Sequence, residues 1–224
     1  MSQISELIDK QNTFEIIRDK IAQILANEIA NQKTIATNEG KDPSLWDLEV
    51  YTERSNPWEK WLNQSTNKVP IVNVWFDNYN LDGTAGNTVE YQTVNGIFNI
   101  DVYGFDISRD NQAGGHLAGD ELSAKETQRA YRLVRNILMS SFYTYLDLRP
   151  IVSQRWIQSA TAFQPEQQGG QVQQVQAIRM AFAVKFLEFS PQYQGEGIEY
   201  ISNDIKRTED GAVIAEADYQ YPLN

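Results

Sequence analysis

Apolar side chains fall at helical spacing in two stretches of the chain and at alternate positions in a third. The first stretch puts Ile17, Ile21, Ile24, Leu25 and Ile29 on one stripe, which predicts a helix. Asn12 and Glu15 precede it at the spacing of a capping box, and the polar run from Asn31 to Gly40 is expected to end it. Ile4, Leu7 and Ile8 suggest a short amphipathic turn upstream. The second stripe holds Ala130, Tyr131, Val134, Ile137, Leu138, Phe142 and Tyr145. It predicts a long helix that starts near Ser123, where Ser123 and Glu126 repeat the capping-box spacing, and runs to about Leu146 before Pro150. In the third stretch Ile178, Met180, Phe182, Val184 and Phe186 alternate with Ala177, Arg179, Ala181, Ala183 and Lys185. A strand over 172–189 therefore has one strongly apolar face and one small, cationic face. The apolar face is expected to lie beneath the long helix.

Three more β-rich segments complete a sheet: Pro70 to Asn80, Thr93 to Asp106, and Ile151 to Phe163 with Trp156. Gly83 and Gly86 mark a hairpin connection between the first two. Residues 41–69 read as irregular, with a short strand at Leu48–Thr52 and a helical turn opened by Pro57. Trp46, Trp58 and Trp61 in so polar a segment suggest docking on something, and the commoner role for such residues is to cover the edge of the chain's own core. Beyond Pro191, segments 198–205 and 212–217 suggest either a small hairpin across Glu209-Asp210-Gly211 or an extended arm. The order predicts an α+β fold: a four-stranded, mainly antiparallel sheet packed by helices on one face, with a helical N-terminus and a C-terminal arm. Residues 1–190 are expected to form a single domain with an insertion at 41–69, and 191–224 the arm or hairpin.

Composition narrows the function. With 224 residues the chain is long enough to fold around its own core without crosslinks. It has no cysteine, which excludes disulfides, thiolate nucleophiles and zinc–thiolate sites. The formal charge of −11 argues against tight binding to a phosphate backbone, though not against contact with DNA in passage. The N-terminus lacks the pattern of a signal peptide, and no stretch reaches the ~18 apolar residues of a membrane span, so a cytosolic, non-membrane protein is expected.

Candidate chemistry is sparse. Asn78 to Gly83 resembles half a calcium loop, but the first position is Asn78 and the twelfth is Val89 where Asp and Glu are needed. The Gly114–Gly119 loop leads into Asp120-Glu121, which would repel the phosphate that such a loop might cradle. His116 is the single histidine, too little for a triad or a metal site. Ser65 and Lys68 have a serine–lysine spacing without companion motifs, and carboxylates such as Asp101 and Asp106 are accidents of an acidic chain. No catalytic residue, metal or cofactor is therefore expected. Two features suggest assembly instead. Lys125, Arg129, Arg132 and Arg135 lie on the long helix, and Asp and Glu are absent from 127 to 146. Most such rows are solvated faces, but in an acidic chain this one could meet an acidic face of an identical neighbour. Gln167, Gln168, Gly169, Gly170 and Gln171 form an uncharged hairpin tip suited to docking.

The element order resembles that of the tail-terminator (tail-completion, or neck) proteins of tailed bacteriophages. The segments that carry it are FEIIRDKIAQILA, PIVNVWF with GIFNIDVYGF, ETQRAYRLVRNILMS and AIRMAFAVKFLEF, spread over residues 13–190. The resemblance implies a homo-oligomeric ring, a hexamer, that caps the tail tube protein, ends tail polymerisation and meets a head–tail connector or stopper protein. DNA would pass through the lumen, and neither catalysis nor a cofactor would be involved. The place implied is the virion neck, assembled in the host bacterial cytoplasm. The chain departs from the smallest members of that family in the 41–69 insertion and the 190–224 arm. Three other readings remain: a stopper or head-completion protein, a small-molecule-binding α+β domain, and a nucleic-acid-binding protein, the last disfavoured by charge.

Overall fold

The computed structural model describes residues 11–63, 68–110, 115–165, 174–189, 200–206 and 213–220. The expected turn with Ile4, Leu7 and Ile8 lies outside them. The chain divides into two units, one spanning Lys10–Phe189 and one that contains the C-terminal strands.

Helix α1 runs from Thr13 to Asn38 and buries Ile17, Ile21, Ile24, Leu25 and Ile29. Glu15 reaches back to accept the Asn12 backbone N–H at 2.8 Å, as the capping-box spacing requires. The helix outlasts the expected stop at Asn31 by two turns. Thr34 and Thr37 donate back to the carbonyls of Ala30 and Lys33, Ala36 is buried, and Gly40 at φ 68° turns the chain away.

The main sheet holds β1 (Glu49–Thr52), β2 (Ile71–Leu81), β3 (Tyr91–Asp106), β6 (Val152–Phe163) and β7 (Gln174–Phe189), in the order β1-β2-β3-β7-β6. A two-residue pair, β4 (Arg109–Asp110) and β5 (His116–Leu117), stands apart from it. The four long strands are antiparallel as expected, but β1 adds a fifth, parallel to β2. The sheet is therefore mixed, and residues 41–69 contribute to it rather than standing outside. Register aligns Val74 with Ile100 and Ile100 with Met180, and likewise Phe76 with Phe98 and Phe98 with Phe182. These rows meet α1 and α2 (Gly119–Leu138) in one core, where each fully buried Ile or Phe contributes roughly 1.5–3 kcal/mol. The alternating face of β7 lies in that core, as its spacing predicts.

Helix α2 corrects the sequence reading at both ends. It starts at Gly119, whose N–H donates to Ser108 Oγ at 3.0 Å, and Ser123 is no cap but a fully buried residue in the second turn. Small residues are needed there because α2 presses on β3 at Gly104. Thr127 Oγ donates to the Ser123 carbonyl at 2.7 Å and lies 3.1 Å from the Gln176 carbonyl on β7. The helix ends at Leu138, so Phe142 and Tyr145 belong to a following 3-10 turn and its exit.

On the other sheet face a second cluster forms at one end from Trp58, Trp61, Ile71, Tyr103, Val175 and Ala177. Two of the three tryptophans of the 41–69 segment thus cover the chain's own core, while Trp46 is half-buried. In the second unit β8 (Tyr200–Lys206) and β9 (Val213–Gln220) form an antiparallel hairpin, from Tyr200 opposite Gln220 to Lys206 opposite Val213.

Glu188, at the end of β7, accepts the Thr13 N–H at 3.3 Å, and its other oxygen is buried without a partner. Burial pushes its carboxyl above the usual carboxylate range. A folded-state value above the unfolded one means that protonation favours the native state. Glu188→Gln is therefore expected to be no less stable than the parent near pH 7. Its advantage should shrink as pH falls through Glu188's raised folded value and be gone at the ordinary carboxylate value. Thermal melts over that range check this; an advantage that grows with acid would contradict it.

Candidate functional site

The cationic row of α2 resolves into two kinds of residue. Lys125 pairs with Glu121 one turn back, and Arg129 grips Glu126 through Nε at 2.9 Å and a terminal nitrogen at 2.5 Å. These are local pairs at i,i+4 and i,i+3 that neutralise themselves. Arg132 and Arg135 are exposed and have no ion pair among the described residues. Only the second half of the row is thus available to a partner.

Beyond Arg135 the chain makes a tightly held turn. Arg155, on the core side of β6, donates to the Ser140 and Tyr143 carbonyls at 2.6 Å each and so holds the 3-10 turn that follows α2. Burial pushes its guanidinium down from the ordinary value. Tyr143 is anchored by donating to Glu28 of α1 at 2.7 Å, and burial together with that carboxylate pushes its hydroxyl up to about 12. Phe142 sits edge-on to the Tyr143 ring, yet 78% of it is exposed. Between this turn and α1 lies a groove of about 410 Å³ lined by Trp46, Leu133, Asn136, Ile137 and Phe142 among others.

The open face of the sheet carries a polar knot. Asp101 of β3, with 2% of its side chain exposed, receives Arg179 of β7 in a two-pronged bond at 2.7 and 2.8 Å. Trp75 Nε1 donates to it at 3.1 Å and the Tyr103 hydroxyl at 3.3 Å. The Arg179 guanidinium lies against the rings of Trp75 and Phe163, 4.8 and 5.1 Å from their centroids. A cavity of about 260 Å³ borders these residues together with Arg54 and Ser55. The polar groups of Asp101, Arg179, Trp75 and Tyr103 there are spent on one another.

The third feature is an edge. Strand β6 pairs with β7 on one side only, and most of its twelve residues are exposed. It contains no Lys, Pro, Asp or Glu, and its one cation, Arg155, is turned to the α2 turn. Charges and prolines usually blunt a sheet edge; here the protection is limited to the inward Arg155 and two register shifts against β7, between Val152 and Gln154 and between Ile157 and Ser159. No protein-family model matches the chain, and no curated protein matches it either.

The remaining sequence candidates are placed as follows. Asp82, in the loop that resembles half a calcium site, is taken by Lys185 at 2.6 Å and by Thr84, which hold its carboxyl far below the usual range. Among the described residues no group of three or more His, Asp or Glu is placed to hold a metal. His116 is exposed, 3.7 Å from Asp110. Ser65 lies outside the described residues, and Lys68 rests over the Phe105 ring. Asp101 and Asp106 do not act together, since Asp101 serves Arg179 and Asp106 faces Arg109. The tip at Gln167, Gln168, Gly169, Gly170 and Gln171 lies outside the described residues. No helix among the described residues is long and apolar enough to cross a membrane. Arg155 and Phe142 are the functional candidates that the helical reading of 123–146 concealed.

Proposed function

We propose that the chain is a structural, non-enzymatic assembly protein that closes into a ring by joining copies head to tail, as a tail terminator of a tailed phage does. The observation that carries this reading is the long, exposed edge of β6, which has no Lys, Pro, Asp or Glu. A long bare edge adds a strand from another chain unless something prevents it. The opposite edge of the same sheet is the short β1, so a contact of β6 in one copy with β1 in the next would join two unlike surfaces. A contact between two different surfaces propagates, and it ends only when the ring closes. The unpaired Arg132 and Arg135 on a chain of charge −11 supply a second surface of the same head-to-tail kind. In this reading the ring, a hexamer, caps the tail tube protein, faces a head–tail connector or stopper protein, and lets DNA pass through an acidic bore that repels it. Its place is the virion neck. A stopper or head-completion protein would have the same geometry but would bind on the portal side.

The test is solution mass by light scattering across concentration and salt, with negative-stain images and with purified tail tubes present and absent. A ring of about six copies, alone or on tube ends, is the expected result. Ser159→Lys with Gln158→Lys, both at exposed positions of β6, should raise the concentration needed for assembly by at least roughly tenfold and leave the melting temperature of the monomer unchanged. A chain that stays monomeric or dimeric and ignores tail tubes sinks the proposal.

A further inference from the structure

We infer that the groove between α1 and the C-terminal end of α2 receives the acidic C-terminal segment, residues 190–224, of a second copy of this chain. The inference rests on the ring reading above and adds to it a contact that the β6 edge does not supply.

Phe142 is the first ground. An exposed aromatic ring on a mobile loop means little, but this one stands on a turn fixed by two bonds from Arg155 and by the Tyr143–Glu28 bond. A side chain already held in place loses little freedom when a partner covers it, which is what makes an anchor at an interface. Trp46, Leu133 and Ile137 extend the same apolar floor, and Met139, 39% exposed, adjoins it in sequence.

Charge selects the occupant. Arg132 stands one helical turn before Asn136, which lines the groove, and Arg135 lies further round the exposed side of the same helix. No acidic residue lies between 127 and 146 to neutralise them, and Glu28 within the groove is engaged by Tyr143. The floor is thus mainly apolar, and among the described residues the free cation nearest to it is Arg132. The matching ligand is an acidic segment with apolar and aromatic side chains, and the chain carries one. Residues 190–224 hold seven acidic and two basic side chains, a net −5 of the total −11, and four of the eleven tyrosines. The rest of the chain holds 23 acids and 17 bases, so the excess is concentrated at the C-terminus. Delivered to the next copy, the segment links each subunit to its neighbour by a contact between unlike surfaces, as ring closure requires.

Because the chain has no cysteine, pairs of introduced cysteines report proximity without background. Full-length Asn136→Cys and Ser202→Cys are mixed and treated with a short bismaleimide, and a chain carrying both substitutions is treated in parallel. Covalent heterodimers in the mixture, and a ladder up to the ring from the double variant, are expected. Arg132→Glu with Arg135→Glu should abolish the cross-link and raise the assembly concentration at least about tenfold. A cross-link confined within single chains overturns the inference, because the groove would then be filled from its own chain. Rings seen by light scattering without any cross-link overturn it too and leave the ring reading intact. Absence of rings, with and without tail tubes, removes the ring reading and this inference together.

Discussion

Gly104→Ala is expected to cost about 3 kcal/mol of stability, near the upper end for an overpacked core site. A Cβ at Gly104 would lie 2.4 Å from Thr127 Oγ1, 2.7 Å from Thr127 N and 2.9 Å from the Ser123 carbonyl. Two of those three atoms belong to the backbone of α2, so no rotamer change relieves the contact. The helix must lift from β3, and in lifting it loses the approach of Thr127 Oγ1 to the Gln176 carbonyl of β7. Gly96 is a useful contrast, since a Cβ there meets the Phe186 ring edge at 2.6 Å, and a ring can turn. Gly86→Ala meets nothing within 4 Å and should stay within about 0.5 kcal/mol of the parent. Chemical denaturation of the three variants checks the order. If Gly104→Ala proves as mild as Gly86→Ala, α2 does not pack on β3 in this way.

The same contact explains where the sequence could and could not be read. The strands were legible because β7 alternates strictly, and the residues of its apolar face from Met180 to Phe186 are buried. The stripe of α1 was legible for the same kind of reason. Helix α2 was misplaced because Ser123 and Glu126 imitate a cap, whereas Ser123 is buried inside the helix with its carbonyl facing Gly104, nineteen residues earlier. Nothing local announces that contact. β1 was visible as a strand, but its parallel pairing with β2 is a long-range choice that four residues, three of them half-buried, cannot encode. The self-neutralised half of the cation row was in principle readable. Glu121 and Lys125 are four apart, and Glu126 and Arg129 three, which leaves Arg132 and Arg135 as the free pair. Arg155 also left a trace: it is opposite Val184 in register and hence on the core side of an edge strand. A cation there needs acceptors, and the Ser140 and Tyr143 carbonyls of the turn after α2 provide them.

The Asp101–Arg179 knot should be asymmetric under mutation. Arg179→Met is expected to cost about 3–5 kcal/mol, because it leaves a carboxylate buried with only Trp75 and Tyr103 as donors. Asp101→Asn should cost less, about 2 kcal/mol. The released Arg179 side chain is already 42% exposed and can turn to water, whereas Asp101, at 2%, cannot. The double variant Asp101→Leu with Arg179→Met should recover part of the loss, since it removes both charges at once while leaving Trp75 Nε1 and the Tyr103 hydroxyl without their acceptor. With Asp101→Leu alone as the second single variant, the denaturant midpoints of the two singles, the double and the parent close the cycle. Additive losses would mean that the two side chains do not depend on each other, contrary to their two-pronged bond. Recovery in the double variant would have a consequence for function as well. It would make the knot a replaceable support for the open sheet face, and the residues that cannot be exchanged would then be those of the β6 edge and the Phe142 turn, where the ring contacts are proposed to form.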